Sequence, residues 1–127
     1  MTARIKLKQL TGLYAISRLQ AGDGIPAWTD RPGFVSITRT DDELSITCLQ
    51  DRVPDAVKHD LDWVAFKLQG PFAFDETGIV LSVIKPLSEN GLGIFLVSTF
   101  DGDHLLVKAA DEPAAKGFLR EAGHTLL

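Results

Sequence analysis

Cysteine is almost absent from this chain of 127 residues: Cys48 stands alone. A single thiol cannot close an intramolecular disulfide, which excludes the small disulfide-stapled secreted domains. The start, MTARIKLKQL, lacks the apolar run that follows the basic residues of a secretory signal. Together these two absences point to a cytoplasmic location. Long hydrophobic runs are missing as well. The most apolar stretch, residues 91–99, falls well short of the roughly 20 residues that cross a bilayer, and Asp101 and Asp103 follow it at once. No membrane contact is expected. Positive charge is not in excess either: 13 Lys and Arg stand against 17 Asp and Glu, for a net charge of -4. That is the wrong sign for gripping a phosphate backbone, so nucleic acid is not an expected partner.

The motifs of chemistry are equally scarce. There is no Gly-x-Ser-x-Gly elbow, and Cys48 alternates with Leu44 and Ile46 on one strand face, as a core cysteine does. His59, His104 and His124 share no His-x-x-x-His spacing and read as structural, so no metal site is expected. Gly22-Asp23-Gly24 and Gly91-Leu92-Gly93 are not continued into a phosphate-binding glycine motif and read as turns. Trp63 and Phe66 on one strand, with Phe72 and Phe74 in the loop after it, read as packing rather than as a base-stacking platform. Neither a catalytic residue nor a cofactor is indicated.

What is present is an ordinary folding composition, with 45% hydrophobic and 24% charged residues. It suits one compact domain or two very small ones. Alternating residues predict extended structure over 4–19, broken near Gly12. A loop follows over 20–33, with one short helical turn near Ala27 and with Trp28 pinning it to the core. Residues 34–39 and 44–49 predict a hairpin around Thr40-Asp41-Asp42-Glu43. Residues 51–60 read as polar, with a brief helix through Ala56 and Lys58, and place a domain boundary at mid-chain. The second half predicts strand 62–68, helix 78–90, strand 92–99, strand 104–109, helix 112–122 and a last strand 124–127. In the first helix Ile79, Val80, Val83, Ile84 and Leu87 share a face, Thr77 or Asp75 can cap the start, and Asn90-Gly91 stops it. Pro86 inside that helix predicts a kink or an irregular end. The second helix has Asp111 as its cap and Pro113 in its first turn.

The order β-α-β-β-α-β gives an α+β, ferredoxin-like arrangement, an antiparallel sheet with both helices on one face. Two acidic loops stand out within it. One is Asp75-Glu76-Thr77-Gly78-Ile79 before the first helix, and the other is Ser98-Thr99-Phe100-Asp101-Gly102-Asp103 between two strands. A helix start offers unpaired N–H groups and partial positive charge to a carboxylate, while a nearby Asp or Glu suits an ammonium. The two loops can therefore hold both ends of an amino acid. They can also be no more than a helix cap and a hairpin turn.

At these residues the chain resembles the ACT domain family. The stretches 77–80, 85–95 with its Lys85-Pro86-Leu87 and Asn90-Gly91, and 97–107 with Ser98-Thr99-Phe100-Asp101-Gly102-Asp103 are similar to the regulatory domains of aspartate kinases and to the eukaryotic cytosolic arginine sensor. The first half resembles the less regular ACT-like half of small stand-alone bacterial members. The resemblance implies two ACT-like halves, an N-terminal one at 1–60 and an ACT domain at 61–127. It implies a non-enzymatic regulatory module that binds an amino acid or similar small metabolite and forms a homodimer. The implied ligand-binding residues are Asp75, Glu76, Thr77, Gly78, Ile79, Thr99, Phe100 and Asp103. The family more often has Tyr at the position of Phe100, a side chain at that of Gly102, and Tyr or Phe at that of His104. Two alternatives remain. One is a protein-interaction module with a vestigial ligand site; the other is a small enzyme using the carboxylates of Asp75, Glu76 and Asp103.

Overall fold

The computed structural model describes residues 3–127 except 71 and 74, so the packing expected of Phe74 lies outside the described residues. Among the described residues, eight strands and two α-helices follow in the order β1 (Lys6–Gln9), β2 (Tyr14–Leu19), β3 (Ser36–Arg39), β4 (Leu44–Leu49), β5 (Lys58–Leu68), α1 (Ile79–Glu89), β6 (Phe95–Ser98), β7 (Asp103–Lys108), α2 (Glu112–Glu121) and β8 (Thr125–Leu126). The chain divides into two compact units. One comprises Met1–Thr11 with Val64–Leu127, and the other comprises Gly12–Trp63. This division differs from a cut at residue 60. β1 pairs with the second half of β5, Leu7 opposite Leu68, and thereby joins the C-terminal unit. Long-range pairing of that kind leaves no local mark in the sequence.

In the C-terminal unit the strands run β8-β1-β5-β7-β6. The β-α-β-β-α-β order is present from β5 onward. β1 is inserted between β5 and β8 and pairs parallel with β8, so one pair departs from an antiparallel sheet. Val64, Phe66 and Leu68 of β5, Leu7 of β1, and Leu105 and Val107 of β7 meet Val83 and Leu87 of α1 and Ala115 and Leu119 of α2 in one core. Both helices therefore lie on the same face of the sheet. The apolar spacing of α1 is the cause, since a helix with one apolar stripe has one way to bury it.

Pro86 sits inside α1, which continues to Glu89. Lacking an N–H, Pro86 leaves the carbonyl of Ser82 without its helical donor. His124, only 4% exposed, takes that place: its Nε2 donates to the Ser82 carbonyl at 2.7 Å, while its Nδ1 accepts the Ile5 N–H at 3.0 Å. Only the neutral ring protonated at Nε2 satisfies both contacts. The helix ends as its sequence implies. Gly91 is left-handed at φ 77°, and the Leu92 N–H returns to the Leu87 carbonyl at 3.1 Å. Asp111 occupies the cap position of α2 but makes no side-chain cap hydrogen bond.

The N-terminal unit orders its strands β3-β4-β2-β5 and contains only short 3-10 turns, one of them at Ala27–Thr29. Trp28 packs on Leu44, Ile46 and Cys48, as the sequence suggests. The hairpin of β3 and β4 closes at Thr40, whose N–H reaches the Glu43 carbonyl at 2.9 Å. The brief helix through Ala56 and Lys58 is not formed. The only helical turn in this stretch is at Gln50–Arg52, and Lys58 already begins β5, because pairing with β2 supplies hydrogen bonds that a short polar helix cannot match. The register between β2 and β5 slips by one residue at Asp62, which is left-handed at φ 67°. Gln50 clamps it, accepting the Asp62 N–H at 2.8 Å and donating to its carboxylate at 3.2 Å.

Candidate functional site

α1 begins without a side-chain cap. Its N-cap residue is Gly78, left-handed at φ 79°, and no side chain bonds to the helix start. The expectation that Thr77 or Asp75 caps the helix is therefore corrected, because a left-handed Gly78 turns the preceding chain away from the cap position. The first helical bond runs from the Ser82 N–H to the Gly78 carbonyl at 3.0 Å. The N–H groups of Ile79, Val80 and Leu81 precede it and have no acceptor within the helix. Gly78 itself carries no side chain that could cover them. A Cβ built there would meet no atom within 4 Å.

The hairpin between β6 and β7 supplies the facing wall. Ser98 pairs with Asp103, and the Ser98 hydroxyl donates to Asp103 Oδ1. The Thr99 N–H reaches the Gly102 carbonyl at 2.7 Å, and its hydroxyl donates to the same carbonyl at 3.0 Å. This fixes a four-residue turn with Phe100 at its tip, 77% exposed. The loop leading to α1 is tied to that turn. Phe72 N–H donates to the Asp101 carbonyl at 3.2 Å, and Gly70 lies so close that a Cβ would stand 2.8 Å from the same oxygen. Only glycine permits this approach. Glu76 folds back on its own loop, its Oε1 accepting the Ala73 N–H at 2.8 Å.

Between these walls lies a cavity of about 330 Å³. Of the eight residues singled out from the sequence, Glu76, Gly78, Ile79, Thr99, Phe100 and Asp103 line it; Asp75 and Thr77 do not. The lining also includes Leu81, Phe72, which the sequence suggests is packing, and Ser98, which belongs to the second acidic loop but not to the implied ligand residues. Ser98 was within reach of sequence reasoning, since a four-residue turn between strands sets it opposite Asp103. The cavity's ionisable lining groups are the carboxylates of Glu76 and Asp103. One oxygen of each is already engaged by the protein, which fixes the direction of the other. His104, next to Asp103, has its pKa held below the usual value of 6.5, chiefly by burial and further by the Lys67 ammonium, with Asp103 opposing. It does not line the cavity.

Chemically, the arrangement offers three backbone donors at a helix start and, in the lining of the same cavity, the carboxylates of Glu76 and Asp103. No group of three or more His, Cys, Asp or Glu able to hold a metal occurs among the described residues. The Cys48 thiol lies in the other unit, where burial pushes its pKa up.

A family model for the ACT domain matches residues 58–121, just over half of the chain. The chain belongs to the ACT domain family. A second model, for an N-terminal domain, matches residues 12–56. A protein of Agobacterium tumefaciens, known from a crystal structure, is 66% identical to this ACT protein over 99% of this chain and 94% of its own, with a TM-score of 0.95. The aspartate kinase of Clostridium acetobutylicum is similar at a TM-score of 0.65 and 11% identity, over 96% of this chain and 35% of the kinase. The ligand-free regulatory subunit of the Thermus thermophilus aspartate kinase is similar at 0.55 and 12%, over 87% and 93%. At such identities the likeness to the kinases shows the fold, the ferredoxin-like ACT arrangement. No curated protein matches the chain. The ACT domain is a regulatory module, and no helix of this one is long and apolar enough to cross a membrane among the described residues.

Proposed function

We propose that this ACT protein is a non-enzymatic sensor that binds a free amino acid in the cavity between the start of α1 and the β6–β7 turn. One observation carries the reading. An uncapped helix start and the turn bearing Thr99, Phe100 and Asp103 face one cavity of about 330 Å³. That volume lies at the small end of ligand sites, which run from about 300 to 1,000 Å³. In this reading the ligand carboxylate accepts hydrogen bonds from the N–H groups of Ile79, Val80 and Leu81. Its ammonium is held by the Asp103 oxygen that Ser98 leaves open, and Phe72, Ile79 and Phe100 flank the side chain. Glu76 braces the loop and adds negative charge to the cavity. Asp75 and Thr77 stand outside this role.

The sensor is proposed to work in the cytoplasm and to signal through self-association as a homodimer. A second reading, a protein-interaction module with a vestigial ligand site, is favoured by the exposure of Leu81 (59%) and Phe100 at the cavity. A thermal-shift screen of the twenty amino acids separates the two. A specific ligand at 100 times its dissociation constant adds about 2.7 kcal/mol of stability. A flat screen at millimolar ligand, with the protein folded, removes the sensing reading and leaves the interaction module.

A further inference from the structure

A second cavity, of about 350 Å³, belongs to the N-terminal unit and has a different charge. Arg18, Gln20, Asp23, Val57 and Lys58 are among its lining residues. The antiparallel register of β2 and β5 sets Arg18 directly opposite Lys58. Like charges facing each other across strands repel, so such a pair is unfavourable unless something neutralises it. Both side chains are exposed, and Arg18 Nη2 donates to the backbone carbonyl of Asp42 at 2.9 Å, which orients the guanidinium without pairing its charge. Lys58 makes no side-chain hydrogen bond or ion pair among the described residues. The cavity's one carboxylate, Asp23, accepts the Gln20 N–H on Oδ2 at 3.0 Å and keeps its charge, so the lining carries two cations against one anion. The lining thus carries a net positive charge of one in a chain whose net charge is -4.

We propose that this cavity binds a small oxyanion, the phosphate or carboxylate group of a metabolite, through Arg18 and Lys58. A guanidinium held by a backbone carbonyl presents its remaining N–H groups in a fixed fork, and the ammonium beside it supplies a point charge, a pairing suited to an oxyanion. The Gln20 side-chain amide adds a neutral donor. The turn closed by the Val57 N–H and the Pro54 carbonyl, at 3.0 Å, carries Ala56 and Val57, which also line the cavity. The site stands apart from the amino-acid reading in both its residues and its ligand charge, so each can fail without the other.

The test uses the full chain labelled with nitrogen-15 and titrated separately with inorganic phosphate and with succinate, each at ionic strength matched with sodium chloride. The expected result is a saturable set of amide shifts confined to residues 18–23 and 56–58, together with a rise in melting temperature. In Arg18→Gln and in Lys58→Gln the affinity should fall at least tenfold. Response to phosphate alone assigns a phosphate ligand, and response to succinate alone assigns a carboxylate. Shifts no larger than those with chloride for both anions overturn the proposal. So do shifts that persist unchanged in the Arg18→Gln, Lys58→Gln double variant, whose fold is checked by circular dichroism.

Discussion

His124 and Pro86 are 38 residues apart in the chain, yet they answer one another, and a double-mutant cycle reads the coupling. The imidazole satisfies two groups: the Ile5 N–H at 3.0 Å and the Ser82 carbonyl at 2.7 Å that Pro86 leaves without a donor. His124→Ala strands both. A buried polar group left unpaired costs about 1–3 kcal/mol, so the substitution should destabilise the protein by about 2–6 kcal/mol. Pro86→Ala restores an N–H at the position from which Ser82 normally receives its helical bond. In that background His124→Ala strands only the Ile5 N–H, so its cost should fall by about 1–3 kcal/mol. Urea unfolding of the four proteins, followed by far-ultraviolet circular dichroism at one pH, measures the cycle. Equal costs of His124→Ala in both backgrounds, within about 0.5 kcal/mol, would refute the reasoning, since independent sites add to that tolerance.

Two further predictions concern the walls of the cavity at the start of α1. Gly70→Ala places a Cβ 2.8 Å from the Asp101 carbonyl and 3.0 Å from the Phe72 N–H; it should cost about 1–3 kcal/mol of stability and weaken ligand affinity, because the loop and the turn must part. Calorimetry on a folded Gly70→Ala protein with wild-type affinity and stability would contradict this. His104, its pKa lowered mainly by burial, is neutral in both states well above pH 6.5; below that value the unfolded chain takes up a proton that the folded chain resists. Stability should therefore fall as pH drops through the range just below 6.5, and His104→Gln should flatten that slope in urea titrations. Parallel slopes for the two proteins would show that His104 does not titrate as described.

Local chemistry was legible from the residues. Asn90-Gly91 marks the end of α1, Thr40 to Glu43 marks the hairpin turn, and the apolar stripe of Ile79, Val83 and Leu87 marks the face of the helix that the core receives. Features that depend on distant partners were not. β1 lies in the C-terminal unit because Leu7 finds Leu68, and Lys58 is extended because Arg18 pairs with it. Within the site, the turn and the helix start were singled out from their residue types, and both line the cavity. The helix start itself was misjudged, because the left-handed Gly78 and not a capping Asp75 or Thr77 begins the helix. Gly70 read as one more loop residue; its close approach to Asp101 exists only once the loop folds onto the turn.

Asp103 is proposed to hold a ligand ammonium opposite the uncapped start of α1. Isothermal calorimetry of the amino acid that emerges from the screen, on wild type and on Asp103→Asn, tests it most directly. Asparagine keeps the shape and can still accept the Ser98 hydroxyl, so stability should stay within about 0.5 kcal/mol. Affinity should fall by about 1.5–3 kcal/mol, or roughly tenfold to a hundredfold, as the charge is lost from the bond. Unchanged affinity in a natively folded Asp103→Asn protein would contradict the account, and would place the ligand somewhere other than this cavity.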